Sequence, residues 1–166
     1  AVHYAKPGDQ LDLKSRTLEN LNETASLLNL EKDRLFTKAF NISHKESVFE
    51  FAKEVNDHFG SVDILVNNAG VAITGLTFEE LEIEDFEWIF NINYMGVIYA
   101  SKAFLPFLKN NKKGSALVNI SSVFELVPMA LKTPYCSTKY AITGFTDCLR
   151  MELESSSVHV MGVYPG

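Results

Sequence analysis

The stretch TPYCSTKYAITGF, residues 133–145, carries a tyrosine and a lysine at a spacing that suits acid–base chemistry. Tyr135 and Lys139 are four residues apart, so on a helix they lie on the same face. A free phenol has a pKa of about 10, too high for ready proton exchange at neutral pH. A neighbouring ammonium stabilises the phenolate and lowers that pKa. The pair alone is weak evidence for catalysis, because so short a motif also arises by chance.

The elements that would position this pair alternate between strands and helices. Strands are predicted over 9–13, 33–40, 62–66, 115–121 and 158–164, and helices over 17–29, 44–59, 85–110 and 135–154. Near-continuous apolar runs such as VDILV suit strands that are buried on both faces of a parallel sheet. The order predicts an α/β fold, a three-layer doubly wound parallel sheet with right-handed crossovers and helices on both faces. We expect residues 1–166 to form one domain.

Composition and charge exclude several classes of function. The chain is 46% hydrophobic and 22% charged, which indicates a soluble globular protein. Its net charge of −6 and the absence of a long basic run argue against nucleic-acid and anionic membrane partners. No apolar run approaches the ~20 residues that span a bilayer. The four histidines are scattered, so no metal site is predicted.

The two cysteines indicate the compartment. Cys136 and Cys148 lie twelve residues apart on one predicted helix, too far for a disulfide within it. We expect both to be free thiols, which favours a reducing, cytoplasmic location.

Polar residues and glycines follow the predicted strands at the point where each strand ends. In parallel α/β sheets, ligands bind outside the carboxyl ends of the strands. The residues at this edge are Ser15, Arg16, Asn67, Asn68, Gly70, Ser121, Ser122, Pro165 and Gly166. The spacing of the strands does not force this convergence, which therefore predicts a binding site.

Five motifs in this order resemble the short-chain dehydrogenase/reductase family of the shorter, single-domain type. They are NNAG (67–70), NINYMG (91–96), NISS (119–122), Tyr135-x-x-x-Lys139 and PG (165–166). The resemblance covers essentially the whole chain. It implies a Rossmann fold and an NAD(P)-dependent oxidoreductase that interconverts an alcohol (CH–OH) with a ketone or aldehyde by hydride transfer.

The family's pattern also implies that this chain is an incomplete Rossmann domain. Members begin with a strand and a T-G-x-x-x-G-x-G turn, and they continue beyond the Pro-Gly pair. We therefore expect the first strand and the C-terminal part to be missing here, with AVHYAK as the end of the first helix. In the family's strand order the first strand separates 9–13 from 62–66, so these two should not pair directly.

The resemblance assigns four catalytic residues. Tyr135 would exchange the proton, and Lys139 would stabilise its phenolate and hold the nicotinamide ribose. Ser122 would orient the substrate oxygen, and Asn93 would position a water that links the lysine to solvent. Two structural alternatives stay open, since Ser122 could cap a helix and Asn93 could be a buried residue that kinks one.

The same resemblance places the cofactor. Its binding residues would be Ser15, Arg16, Asn41, Ile42, Asn67, Ala69, Gly70, Tyr135, Lys139, Pro165 and Gly166. Arg16 can fork onto a phosphate and Ser15 does not repel one, so we predict NADP. NAD is the alternative, because Asp12 would become its determinant if the strand register slipped. Asn41 replaces the family's usual aspartate, and its oxygen can accept the same hydrogen bond.

The partner that we expect is a small carbonyl or alcohol substrate, together with further copies of this chain. A homodimer or homotetramer would form through helices 85–110 and 135–154, whose apolar residues exceed what one sheet face needs. These residues include Ile98, Phe104, Phe107, Ile142, Phe145 and Leu149. Two alternatives remain open: a non-catalytic NADP-binding regulatory or scaffold protein, and an epimerase or dehydratase relative.

Overall fold

A computed structural model describes residues 9–28 and 30–166, and the segment AVHYAK lies outside these ranges. Within these ranges there are five strands and five α-helices, and successive strands are separated by helical segments. The strands are β1 (Leu11–Ser15), β2 (Leu35–Ala39), β3 (Ile64–Asn67), β4 (Ser115–Ile120) and β5 (Val158–Val163). The helices are α1 (Leu18–Leu28), α2 (Lys45–Phe59), α3 (Ile83–Phe90), α4 (Gly96–Asn110) and α5 (Thr133–Glu152). The predicted alternation of strands and helices is confirmed.

All strand pairs among the described residues are parallel. β1 pairs with β2 from Leu11–Leu35 to Ser15–Ala39. β3, β4 and β5 form a second sheet with β4 in the middle. β1 does not pair with β3 in the part of the chain that the structure describes, in agreement with the predicted strand order.

Strand boundaries differ from the prediction where pairing with a neighbour decides them. The predicted strand 9–13 is observed at Leu11–Ser15, so Ser15 belongs to the strand instead of following it. The cause is the ladder with β2, which continues to Ser15, whose carbonyl accepts a 3.0 Å bond from the Phe40 N–H. Likewise, Asn67 is the last residue of β3, because it is in register with Asn119 of β4.

The core lies between three helices and one face of the second sheet. Alternate residues of the strands are buried, with Leu117, Val158 and Val160 inside and Met161 and Val163 exposed. α2 packs on α4, α4 packs on β3 and β4, and α5 packs on β5. The other sheet joins this core through aromatic rings, since Phe36 and Phe40 of the β2 segment contact Phe51 of α2. Phe51 in turn contacts Phe104 of α4.

The predicted helix 85–110 is one long helix that contains a wider turn. α3 and α4 are joined by a π-helical segment, Asn91–Met95, within which Asn93 is fully buried. Residues on both sides keep right-handed helical backbone angles, so the axis continues. π turns of this kind often occur at functional sites.

The interior also accounts for part of the apolar surface that the sequence assigned to subunit contacts. Phe104, Ile142 and Leu149 are buried in the monomer core, so they are not surplus. The expectation that all six apolar residues are available for a subunit interface is therefore wrong for these three, because they pack in the interior of the chain. Cys136 and Cys148 are free thiols, as predicted. Among the described helices, none is long and apolar enough to cross a membrane.

Candidate active site

Helix α5 brings Tyr135 and Lys139 to the carboxyl end of β4. Tyr135 lies in the first turn, directly after Pro134, and Lys139 follows one turn later. The Lys139 side chain is 6% exposed, and its Nζ donates a 2.9 Å hydrogen bond to the Ile120 carbonyl. The same Nζ lies 5.5 Å from the centroid of the Tyr135 ring. The ammonium is therefore buried between the end of β4 and the Tyr135 ring.

Asn93 is fixed at both ends of its amide. Its Oδ1 accepts from the Val71 N–H at 2.8 Å, and its Nδ2 donates to the Val71 carbonyl at 2.9 Å. Nδ2 also donates to Thr138 Oγ1 at 3.2 Å, and Thr138 Oγ1 donates to the Tyr135 carbonyl at 2.7 Å. Asn93 thus ties the loop after β3 to the turn of α5 that carries Tyr135.

Gly70 lies between Asn93 and Lys139. A methyl group on its Cα would sit 3.6 Å from Asn93 Oδ1 and 4.0 Å from Lys139 Nζ. Both are ordinary contact distances, so the protein itself would accommodate a side chain here. The absent side chain instead leaves space into which the asparagine oxygen and the lysine ammonium both face.

Ser122 follows β4 and is buried, with its Oγ accepting a 3.3 Å bond from the Phe124 N–H. Ser122 therefore caps the short 3-10 turn Val123–Glu125, which is the structural alternative that the sequence left open. The cap uses the oxygen as an acceptor and leaves the hydroxyl proton able to donate. The Phe124 ring meets the Tyr135 ring edge-on at 6.3 Å, so the serine loop and Tyr135 are neighbours.

A cleft of about 190 Å³ opens at the carboxyl ends of β1, β2 and β3. Six of its lining residues are among the predicted cofactor contacts: Ser15, Arg16, Asn41, Ile42, Ala69 and Gly70. Three more, Lys14, Val71 and Ile92, were not predicted. The structure therefore gathers residues from four separate segments around one cavity.

Within the cleft wall, Asn41 has one lone pair in use. Its Oδ1 accepts a 3.1 Å bond from the Ser43 N–H, which closes a local turn after β2. A carbonyl oxygen accepts two hydrogen bonds, so the role predicted for this residue remains chemically available.

Asn67 is not among the residues that line the cleft. Its Nδ2 donates to Ser101 Oγ at 3.1 Å and to Asn119 Oδ1 at 2.8 Å. Asn119 Nδ2 continues the network to Thr146 Oγ1 at 2.9 Å. The side chain braces β3, β4, α4 and α5 from inside, so its predicted contact with a cofactor does not go through this amide nitrogen.

Pro165 and Gly166 follow β5 at the same sheet edge. The Pro165 carbonyl accepts a 3.0 Å bond from the Val123 N–H, and the Val163 carbonyl accepts one of 2.8 Å from the Ser121 N–H. These bonds place the Pro-Gly segment beside the loop that carries Ser122.

Sequence reasoning missed Thr138 and Lys14. Thr138 is fully buried and joins Asn93 to the backbone of Tyr135. The signal for it was its place three residues after the tyrosine, on the face that must point inward. Lys14 had a signal too, because it lies two residues before Arg16, the spacing at which strand residues share a side.

Two groups on β1 have shifted pKa values. Burial and, to a smaller extent, the positive charge of Arg16 together lower the pKa of Lys14 to about 8. Burial raises the pKa of Asp12 to about 7, and its Oδ1 is buried without a hydrogen-bond partner among the described residues. Asp12 lies inside β1 and not at its end, so the structure does not place it where an NAD determinant is expected.

Comparison with known proteins shows the family and the fold of this chain. The family model described as short chain dehydrogenase matches residues 1–166. The chain belongs to the short-chain dehydrogenase family. This confirms the predicted family, and the Rossmann-like α/β fold with parallel sheets is confirmed by solved members of it.

Three proteins illustrate the similarity. The "Uncharacterized oxidoreductase YusZ" of Bacillus subtilis is 33% identical over 148 residues, which are 89% of this chain and 51% of YusZ. The closed form of serine dehydrogenase complexed with NADP+ is 26% identical with a TM-score of 0.89, over 99% of this chain and 64% of that one. An alcohol dehydrogenase from the archaeon Thermococcus sibiricus, complexed with 5-hydroxy-NADP, is 31% identical with a TM-score of 0.87, over 98% of this chain and 67% of that one.

The chain spans about half to three-fifths of the length of curated relatives such as YusZ and the "Putative oxidoreductase SadH" of Mycobacterium tuberculosis. Their names support oxidoreductase chemistry for the family.

Proposed function

We propose that this chain carries the catalytic residues and the adenosine side of the cofactor site of an NADP-dependent oxidoreductase that interconverts a ketone or aldehyde with an alcohol. One observation carries the proposal. The buried Lys139 ammonium lies beside the Tyr135 ring and faces Gly70, which also lines the cleft. The Tyr135–Lys139 pair and the cleft thus meet at one glycine.

The residues of the cleft fit a dinucleotide. Arg16 supplies positive charge for phosphate, and Asn41 supplies an acceptor for the adenine amino group. Gly70 leaves room next to Lys139, whose ammonium can donate to ribose hydroxyls. NADPH, when bound, supplies the hydride for carbonyl reduction.

The chain's own residues then handle the proton. Tyr135 donates its phenolic proton to the oxygen of the substrate as negative charge develops there. Lys139 stabilises the resulting phenolate, because a cation near the phenol favours the ionised form. The Ser122 hydroxyl donates a hydrogen bond to the same substrate oxygen and orients it. Asn93 and Thr138 hold the turn of α5 in place during these steps.

The preference for NADP rests on the charge at the cleft. Arg16 can bind the 2′-phosphate through two parallel hydrogen bonds, whereas an acidic residue there would favour the 2′-hydroxyl of NAD. Serine dehydrogenase and the Thermococcus alcohol dehydrogenase, both similar to this chain, have NADP+ and an NADP derivative in their structures.

The test is oxidation of NADPH by the full-length protein against a panel of ketones and aldehydes. Tyr135→Phe removes only the proton donor, so we expect turnover to fall by about 10²–10⁴-fold while NADPH still binds. Tyr140→Phe is the matched control, because Tyr140 lies on the same helix and is 48% exposed. Equal turnover by Tyr135→Phe and Tyr140→Phe would refute Tyr135 as the acid. NADPH binding without turnover on any carbonyl would favour the regulatory or scaffold alternative.

A further inference from the structure

Lys14 differs from the neighbouring Lys38 in its charged partners. Lys14 is in register with Lys38 on β2. The Lys38 ammonium is paired with Glu50 and Glu54 of α2, at 2.9 Å each. Lys14 has no carboxylate within ion-pair distance among the described residues, although it is partly buried. Its Nζ instead lies 5.1 Å from the centroid of the Phe40 ring.

A bound anion would stabilise a partly buried ammonium that has no counter-ion. Removing a charge from water costs free energy unless an opposite charge or hydrogen bonds replace the water. The Phe40 ring offers only the weak attraction of an aromatic face. Lys14 lines the same cleft as Ser15 and Arg16, so an anion bound there would lie within reach of both cations.

We propose that Lys14 is a second specificity-determining residue, whose ammonium joins the Arg16 guanidinium in binding the 2′-phosphate of NADP. This inference rests on the proposed function, since it concerns the cofactor of that same site. A phosphate monoester carries close to two negative charges at neutral pH, which two cations balance better than one. NAD carries a hydroxyl at this position, so the second cation gives it no advantage.

The electrostatics around Lys14 add a dependence on pH. Burial and the nearby Arg16 lower its pKa to about 8, so in the free protein the ammonium loses its proton above that pH. The other groups on this side are Asp12, whose pKa burial raises to about 7, and Lys38, which is neutralised by Glu50 and Glu54. Arg16 is the one charged side chain among those described that contributes to the Lys14 shift. The affinity for NADPH should therefore fall as pH rises through about 8.

The experiment measures the dissociation constants of NADPH and NADH for the full-length protein by titration calorimetry at about pH 7 and about pH 9.5, on either side of the Lys14 pKa. For the unmodified protein we expect NADPH to bind roughly 10-fold more weakly at the higher pH and NADH to change less than about twofold. Lys14→Met keeps the apolar stem and removes the charge. We expect it to weaken NADPH binding by about 10- to 100-fold at pH 7 and to remove the pH dependence, with NADH unaffected.

Two further variants make the result decisive. Lys14→Arg keeps a permanent charge, so NADPH binding should stay tight and become independent of pH. Lys38→Met is the matched control and should bind both cofactors as the unmodified protein does. Unchanged NADPH binding by Lys14→Met overturns this inference alone. An equal loss of NADPH and NADH also overturns it, because Lys14 would then act on a part common to both. If the unmodified protein binds neither cofactor, the proposed function fails and this inference with it.

Discussion

Lys139 shows how the fold can hold a residue in the place that its proposed chemistry requires. Its ammonium is buried, and a buried ammonium is tolerated only where hydrogen bonds replace the lost water. The Ile120 carbonyl supplies one of these bonds and fixes the ammonium at the end of β4. The group that makes the lysine stable in the fold therefore also holds it beside Tyr135.

Burial in the fold disfavours the ionised form of the Asp12 side chain. Its pKa is about 7 in the folded protein, raised by burial above the ordinary value of 3.8. The unfolded chain thus loses this proton at a lower pH than the folded chain does. The associated stability is fully present below about pH 4 and is lost as pH rises through about 7.

We predict that Asp12→Asn stabilises the protein at pH 8 but much less at about pH 4.5, because the amide cannot ionise. After allowance for solvent screening, the gain at pH 8 should be of the order of 1–2 kcal/mol. Thermal unfolding of both forms at the two pH values measures it. Asp33→Asn, at an exposed aspartate, is the control. A gain of the same size at both pH values would contradict the prediction.

At the scale of elements, the π turn Asn91–Met95 between α3 and α4 holds Asn93 in the interior. Gly96 follows this turn as the first residue of α4 and packs against Ile42. A methyl group on Gly96 would come within 3.0 Å of both Cγ1 and Cγ2 of Ile42. Because Ile42 also lines the cleft, packing at this glycine affects the shape of the cleft.

Gly96→Ala should therefore destabilise the protein and weaken its affinity for NADPH. Overpacking of this kind costs about 1–3 kcal/mol, because Ile42 must move. The control is Gly144→Ala on α5, where a methyl group would meet no atom within 4 Å. That change should leave stability unaltered or raise it by up to about 1 kcal/mol, since alanine favours helix more than glycine does. Urea unfolding measures the stability of the two variants, and NADPH titration measures their affinity for the cofactor. Equal stability of Gly96→Ala and Gly144→Ala would contradict the predicted overpacking at Gly96.

At the scale of the whole molecule, α4 and α5 keep fewer apolar residues for contact with another subunit than their sequences suggest. Ile98, Phe107 and Phe145 are partly buried. Tyr140 and Met151 of α5 are 48% and 76% exposed. A subunit interface over these helices would still cover apolar surface that water now contacts.

We predict that the full-length protein is a homodimer or homotetramer and that Tyr140→Glu shifts it towards the monomer. A charge in the centre of such an interface would lose its water without gaining a partner. Phe49→Glu on α2 introduces the same charge at a 40% exposed residue outside the two helices and should leave the assembly intact. Light scattering at micromolar concentration gives the masses. A monomeric unmodified protein would rule this interface out.

The sequence by itself determined the order of elements and the family, and it predicted the edge of the sheet at which the candidate site lies. These features are local, because the apolar period of a helix or strand and the residues at a strand's end lie within a few positions. The four-residue spacing of Tyr135 and Lys139 likewise fixed their shared helix face before any packing was known.

Only the tertiary structure decided which of these residues meet and what each side chain contacts. It showed that Asn67 braces the interior through Asn119 and that Ser122 caps a 3-10 turn. It also showed that Lys14 lines the cleft and, among the described residues, has no carboxylate within ion-pair distance. It also moved Phe104 from the expected interface into the core. The physical reason is that hydrogen-bond partners and burial come from residues far apart in the chain, so their outcome depends on packing, which a local pattern does not contain.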